Sequence, residues 1–226
     1  EPNDIQSYSA LACIAIQSNQ NDQHGGQSIV DFDYGLAPGV TKTYKKNYST
    51  NLYKSLEILT PSDEPDTTED KSNGIQGGLT LFDLKEIARD VEKRTGSFPQ
   101  ITTDAKYLEE EKKVLLSKGL SEEIIDKAQK FAVKEAYRET EKATYQAMEA
   151  LIHNLNTMHS RAGAQTPFSS INYGTDTSPE GRMVMRNILK ATEAGLGMGE
   201  TPIFPIQIFR VKEGINYNEG DPNYDL

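Results

Sequence analysis

Between positions 160 and 177 the chain places Ser160, Arg161, Gln165, Ser169, Ser170 and Asn172 around a short apolar core of Phe168 and Ile171. An arginine can grip a phosphate or carboxylate with two parallel hydrogen bonds. Backbone amides around Gly163 can approach an anion closely because glycine adds no side chain. The hydroxyls and carboxamides of Gln165, Ser169, Ser170 and Asn172 can donate to or accept from ribose hydroxyls or a small carboxylate. Such a set suits holding a phosphorylated, sugar-bearing ligand. It does not suit nucleophilic attack, since nothing in the sequence places a base beside Ser169 or Ser170. The competing reading is a row of polar residues on the open face of an edge strand.

A second stretch, Gln20-Asn-Asp-Gln-His-Gly-Gly-Gln-Ser28, lies between two helical patterns. Gly25 and Gly26 allow close backbone approach, and a helix start beyond them attracts anions. Gln20, His24 and Gln27 could bond a base or phosphate there. The spacing matches neither the P-loop nor the dinucleotide fingerprint, so a tight turn in which His24 caps a carbonyl remains the competing reading. His24, His153 and His159 do not form a metal set: the last two are not at the i, i+4 spacing that shares a helix face, and no acidic partner stands at ligand spacing. Cys13, among Ala and Ile, reads as a small buried hydrophobe rather than a thiolate nucleophile. Glu180-Gly-Arg182 reads as a structural ion pair, with contact to a partner as the competing reading.

The elements that position these residues follow from caps and periodicity. A helix is expected over 4–20, capped by Asp4, apolar nearly all round and therefore buried. A second runs from about 28 to 36, breaks at Ala37-Pro38-Gly39 and resumes to about 59; Tyr44, Tyr48 and Tyr53 lie on it as half-buried packing. Residues 61–79 read as a flexible acidic loop. Helices follow over about 80–95 and 104–118. Ser121 then caps a helix reaching about 159, long enough to pack against a partner and suggestive of a dimer. Strands are expected over 166–173 and 203–211, joined by a helix that starts with Ser178 at the cap and Pro179 at the first turn. The organisation is then 1–60 helical and effector- or dimer-facing, 61–79 loop, 80–160 helical with one long helix, and 161–226 strands and helix facing substrate.

The 226 residues carry a net charge of -10, with 36% hydrophobic and 26% charged residues. The acidic balance argues against nucleic acid or an anionic membrane surface as partner. No apolar run approaches the ~20 residues of a membrane span. One cysteine excludes an internal disulfide and points to a reducing, cytoplasmic setting. The chain opens on Glu1-Pro-Asn and stops at Asp221-Pro-Asn-Tyr-Asp-Leu226 in mid-pattern, which reads as an internal segment of a longer protein.

Gln20 to Ser28, Phe32-Asp-Tyr-Gly-Leu-Ala-Pro38, 160–182, and Ile203 through the Asn216-Tyr-Asn-Glu-Gly-Asp-Pro-Asn-Tyr-Asp225 run together resemble the large subunit of class III, anaerobic ribonucleoside-triphosphate reductases. The resemblance covers about 1–60 and 140–226. It implies an α/β, helix-rich chain forming part of a ten-stranded glycyl-radical-type barrel, with long dimerisation helices. It implies reduction of ribonucleoside triphosphates to deoxyribonucleotides by glycyl/thiyl radical chemistry, zinc, ATP and dNTP effectors, formate as reductant, a radical-SAM activase and a homodimer. Arg161, Gln165, Ser169, Ser170 and Asn172 would contact substrate. Gln20, His24, Gly25, Gly26 and Gln27 would lie near effector or dimer contacts. The family's radical cysteine, zinc cysteines and glycyl-radical glycine match nothing here, so those residues are expected outside 1–226. This segment alone is expected to be inactive, with no catalytic residue, metal or cofactor of its own. Two other readings stand beside it: a dimerising nucleotide-binding regulatory module, and a segment of another glycyl-radical enzyme, a lyase, which adjacent cysteines beyond Leu226 would favour.

Overall fold

A computed structural model describes residues 1–23, 25–60, 75, 78–102, 105–159 and 165–226. His24, Ser160, Arg161, Gly163 and most of the 61–79 loop lie outside the described residues. The chain is a helix-rich α/β fold with the order α1 (Ile5–Asp22), β1 (Gln27–Ile29), α2 (Phe32–Leu59), α3 (Leu81–Thr95), α4 (Ala105–Ser117), α5 (Glu122–Thr157), β2 (Ser169–Tyr173), α6 (Pro179–Ala194) and β3 (Ile206–Phe209). It divides into two compact units: Glu1–Thr43 with Glu141–Leu226, and Tyr44–Thr140.

The all-helical unit, Tyr44–Thr140, is built on four-residue periodicity. Tyr44, Tyr48, Leu52 and Leu56 of α2 share a core with Ile125, Ala128, Ala132 and Ala136 of α5, and Leu84, Ile87 and Val91 of α3 join them. Small alanines on α5 leave room for the tyrosine rings of α2. Tyr44 and Tyr48 are thus fully enclosed rather than half-buried as expected, and only Tyr53 is partly exposed. Ile75 and Leu79, bridged to one another at the end of the acidic stretch, are buried in the same core. Thr80 and Asp83 form a reciprocal capping box at the start of α3, and Gly96 ends it with φ 72. Asn47 and Asn51 of α2 donate to Thr140 and Glu139 of α5 at 3.1 and 2.7 Å.

The unit holding the sheet, Glu1–Thr43 with Glu141–Leu226, differs from expectation in two places. α1 is not buried all round: Cys13 and Ile16 are enclosed, but Leu11 and Ile14 are 53% and 59% exposed. The reason is geometric, since one neighbouring layer covers one face of a helix and leaves the other to solvent or a partner. α2 also starts later than expected and does not break. Residues 27–29 are strand β1, and Pro38 sits inside a continuous helix. Pro38-Gly39 serves a close crossing instead: a Cβ on Gly39 would stand 2.9 Å from the Tyr8 ring and 3.1 Å from Ile5 Cα. Thr43 secures the same crossing by accepting from the Ile5 backbone N–H at 2.9 Å.

The sheet is three parallel strands in the order β1-β2-β3. β2, α6 and β3 form one strand–helix–strand unit, which parallel pairing requires. Ser178 caps α6 by accepting from Gly181 N–H, with Pro179 in the first turn. At the far end of α5, Asn156 holds the approach to β3, accepting from the Ile203 and Phe204 N–H groups at 2.9 and 3.1 Å.

Candidate functional site

The two polar stretches singled out in the sequence meet. Gln27 pairs with Ser169, Ser28 with Ser170 and Ile29 with Ile171. The Gln27 N–H donates to Phe168 O at 2.8 Å. Gln20, buried near the end of α1, donates from Nε2 to Thr166 O at 3.4 Å. Gly25 has φ 107, and a Cβ on Gly26 would stand 3.0 Å from the Phe168 ring. Gly26 therefore lets the chain lie against the start of β2, while Gly25 supplies a positive φ. Gln165 is exposed.

β2 then divides the candidate residues between two faces, because successive strand side chains alternate. Ser169, Ile171 and Tyr173 are enclosed, while Ser170 and Asn172 are half-buried. The first set lies toward α6: Tyr173 Oη donates to Gln207 Oε1 at 2.6 Å, and Gln207 Nε2 donates to Thr192 of α6. The opposite face carries Ser170 and Asn172 together with their register partners Ser28, Ile206 and Ile208. It is the open face: Ser28 is exposed, and Ile206 and Ile208 are 45% and 44% exposed. Asn172 Oδ1 is a shielded acceptor with no hydrogen-bond partner among the described residues. Ser169 Oγ, on the covered face, is likewise unpartnered and belongs to a residue only 1% exposed.

The strand mouths are held rigidly by residues for which the sequence suggested no role. Asp33, at the start of α2 and fully buried, accepts through Oδ2 from the N–H groups of Gly174, Thr175 and Asp176 at 2.9, 3.1 and 3.0 Å. Its other oxygen accepts from Tyr34 N–H. Tyr34 Oη donates to Thr175 O at 2.9 Å. Asn216 and Asn223 both donate to Gly174 O, at 2.8 and 3.1 Å, and Asn223 also to Asp176 O at 2.9 Å. The turn after β2 is thus saturated on both its donors and its acceptors. Its amides form an anion-binding concavity of the kind expected at a strand mouth, but the Asp33 carboxylate fills it. Arg182 makes its ion pair with Asp225 rather than within Glu180-Gly-Arg182: its two bonds to Asp225, 2.8 and 2.7 Å, and one to Asn223 anchor the C-terminal stretch to α6. The Arg182 guanidinium holds the Asp225 carboxyl below its usual range, mainly through this hydrogen bonding.

The open face offers neutral donors and acceptors beside two isoleucines. It can orient a hydroxylated ligand, but among the described residues it presents no acid or base pair to move protons. Asp33, Asn216 and Asn223 lie inside the quoted motifs, but their partners are remote in sequence, so no role could be read for them.

A profile of anaerobic ribonucleoside-triphosphate reductase matches residues 1–226. The chain belongs to the anaerobic ribonucleoside-triphosphate reductase family. The reductase of that name from Haemophilus influenzae is 42% identical over 87 residues, 38% of this chain and 12% of its own length. The one from Escherichia coli is 41% identical over 88 residues, with the same shares. That of Enterobacteria phage T4 is 35% identical over 151 residues, 66% of this chain and 21% of its own. The chain therefore spans less than a quarter of the length of the curated relatives it matches.

The described residues of this reductase-family chain do not fit the metal or the radical cysteine that the resemblance implies. Among them no three His, Cys, Asp or Glu side chains come together in a way that could hold a metal. Cys13 is 3% exposed, so its sulfur is not open to a substrate, and burial pushes its thiol above the ordinary value, which disfavours a metal-binding thiolate. Also among the described residues, no helix is long and apolar enough to cross a membrane.

Proposed function

We propose that this chain is the part of an anaerobic ribonucleoside-triphosphate reductase that presents the open face of β1-β2-β3 to the substrate. The observation that carries the proposal is the division of β2: Ser170 and Asn172 lie on the face left open opposite α6, with a shielded acceptor unmatched on Asn172. In a ten-stranded barrel with helices outside, that face is the lumen, and these three parallel strands would be a portion of its wall. Ser170 and Asn172, with Arg161 and Gln165 from the preceding stretch, would orient a ribonucleoside triphosphate through hydroxyl and phosphate contacts. Ser169, on the α6 side, would support the strand.

The reaction proposed for the complete enzyme is reduction at C2′ of the ribose by glycyl/thiyl radical chemistry, with formate as reductant and a radical-SAM activase. The glycyl-radical glycine, the thiyl cysteine and the zinc cysteines would come from outside this segment, since Cys13 does not fit those roles. The enzyme would work in the cytoplasm as a homodimer under ATP and dNTP control. Ala10, Leu11, Ile14 and Ala15, an exposed apolar stripe on α1, suit a helix of a second copy. The Gln20–Gln27 turn beside that helix would lie near effector contacts.

Calorimetric titration of the 226-residue chain with ATP and each dNTP, with light scattering for its mass, tests this reading. A dimer that binds at least one dNTP saturably is the expected result. A well-folded monomer that binds none would remove both the dimer and the effector assignment from this segment.

A further inference from the structure

β3 faces the opposite way from its hydrophobicity. Ile206 and Ile208 stand on the open face, 45% and 44% exposed, while Gln207 between them lies on the face toward α6 and is half-buried. Burying two isoleucines removes more apolar surface from water than burying one glutamine, so apolar burial alone would turn the strand over. A polar bridge opposes it. Tyr173 Oη donates to Gln207 Oε1 at 2.6 Å, Gln207 Nε2 donates to Thr192 Oγ1, and Thr192 Oγ1 donates onward to Ile188 O at 2.7 Å. Burial pushes the Tyr173 phenol up to about 12, so it stays a donor. With β3 turned over, that hydroxyl, on a residue 1% exposed, would lose its acceptor, and a buried donor left unmatched costs more than an average hydrogen bond gains. Asn156 and Asn216 also hold the chain before and after β3, both through main-chain groups of Ile203, Phe204 and Arg210. Such anchors fix the place of a strand but not its facing, because a one-residue bulge reverses every side chain beyond it.

We propose that Gln207 is a positioning residue for the open face: by bridging Tyr173 to Thr192 it fixes which way β3 faces and sets Ile206 and Ile208 beside Ser170 and Asn172. The register brings Ile206 level with Ser170 and Ile208 level with Asn172. A buried polar bridge that selects one facing over a more apolar alternative acts on specificity more than on stability. The consequence for a substrate rests on the reading of the open face as substrate-facing. The consequence for the strand does not, so the two fail separately.

The test is thiol labelling. Cys13 is the one cysteine of the chain and is 3% exposed, so a cysteine introduced at β3 reports its own facing. In the 226-residue chain, Ile208→Cys should react readily with a maleimide. Adding Tyr173→Phe and Gln207→Leu removes both partners of one bond together, which should leave the unfolding midpoint near that of the parent. The same pair should slow labelling of Ile208→Cys by about tenfold or more, because the strand is then free to turn over. Ile203→Cys, before the strand and 74% exposed, should label within about twofold in the two backgrounds. Gln207→Glu, which still accepts from Tyr173, should leave labelling of Ile208→Cys as in the parent. Equal labelling of Ile208→Cys in the two backgrounds, or loss of folding on the paired substitution, would overturn the proposal. Slowed labelling together with an unchanged kcat/KM in a reductase of the relatives' length would uphold the role of Gln207 in β3 and strike the substrate reading of the face instead.

Discussion

Asp33→Ala is expected to destabilise the sheet-bearing unit by about 3 kcal/mol or more, because three backbone donors lose their shared acceptor. The carboxylate accepts from the backbone N–H groups of Gly174, Thr175 and Asp176 and is fully buried. Removing it leaves three donors without a partner where water cannot readily replace it, and each such donor costs roughly 1–3 kcal/mol. The turn is also too crowded to rearrange. A Cβ on Gly174, whose φ is 123, would stand 2.8 Å from Arg210 O, and one on Gly181 would stand 2.2 Å from Asp176 Oδ2. Asp31 is the natural comparison, because it lies two residues away and makes one solvent-facing pair with Arg210 at 2.6 Å, its own side chain 58% exposed. Asp31→Ala should cost under about 1 kcal/mol. Urea unfolding of the two variants separates the cases. Equal midpoints would mean that Asp33 does not anchor the turn.

The second large effect belongs to Glu111. It is 1% exposed in the core of the helical unit and accepts from Tyr48 Oη at 2.6 Å, Tyr107 Oη at 2.7 Å and Gln129 Nε2 at 2.9 Å. Glu111→Ala leaves two phenols and an amide without an acceptor and opens a void, for an expected loss of about 3 kcal/mol or more. Burial pushes the Glu111 carboxyl above its ordinary 4.5, and the bonds from Tyr48, Gln129 and Tyr107 oppose that shift without cancelling it. The two tyrosines are themselves pushed up, chiefly by burial, and so remain protonated donors. The sign follows. The folded state holds this proton more tightly than the unfolded chain, so the contribution of Glu111 is complete below about pH 4.5 and declines as pH rises through its folded value. Unfolding free energies of Glu111→Gln, which carries no titrating group there, should show less decline with rising pH than the parent chain. A parallel pH dependence in the two proteins would show that Glu111 does not titrate with folding.

Local chemistry carried most of the secondary structure. Asp4 and Ser178 announce helix starts because a short oxygen-bearing side chain satisfies an orphan N–H within three residues, and both do so; Thr80 caps α3 in the same way without having been singled out. Pro38 was misleading for the opposite reason. Its local preference to break a helix was overridden by packing, since Gly39 beside it lets α1 approach. The strand 169–173 was legible as a strand, and alternation alone would have split Ser169 from Ser170 and Asn172. Which face α6 covers needed the contact from Gln207 to Thr192. Asp33 was silent because its donors lie 141–143 positions away, a separation no window of sequence spans. The pairing of β1 with β2, which unites the two polar stretches, was hidden by the same distance.

The most direct measurement is anaerobic turnover of a ribonucleoside triphosphate by a reductase of the relatives' length that carries these residues, compared among Ser169→Ala, Ser170→Ala and Asn172→Ala. The proposed substrate-facing sheet predicts a loss of about tenfold or more in kcat/KM for Asn172→Ala and a smaller one for Ser170→Ala, as removal of one or two oriented hydrogen bonds would give. Ser169→Ala, on the face against α6, should leave kcat/KM within about twofold. Loss confined to Ser169→Ala, or no loss in Asn172→Ala and Ser170→Ala, would contradict the assignment of the open face to the substrate.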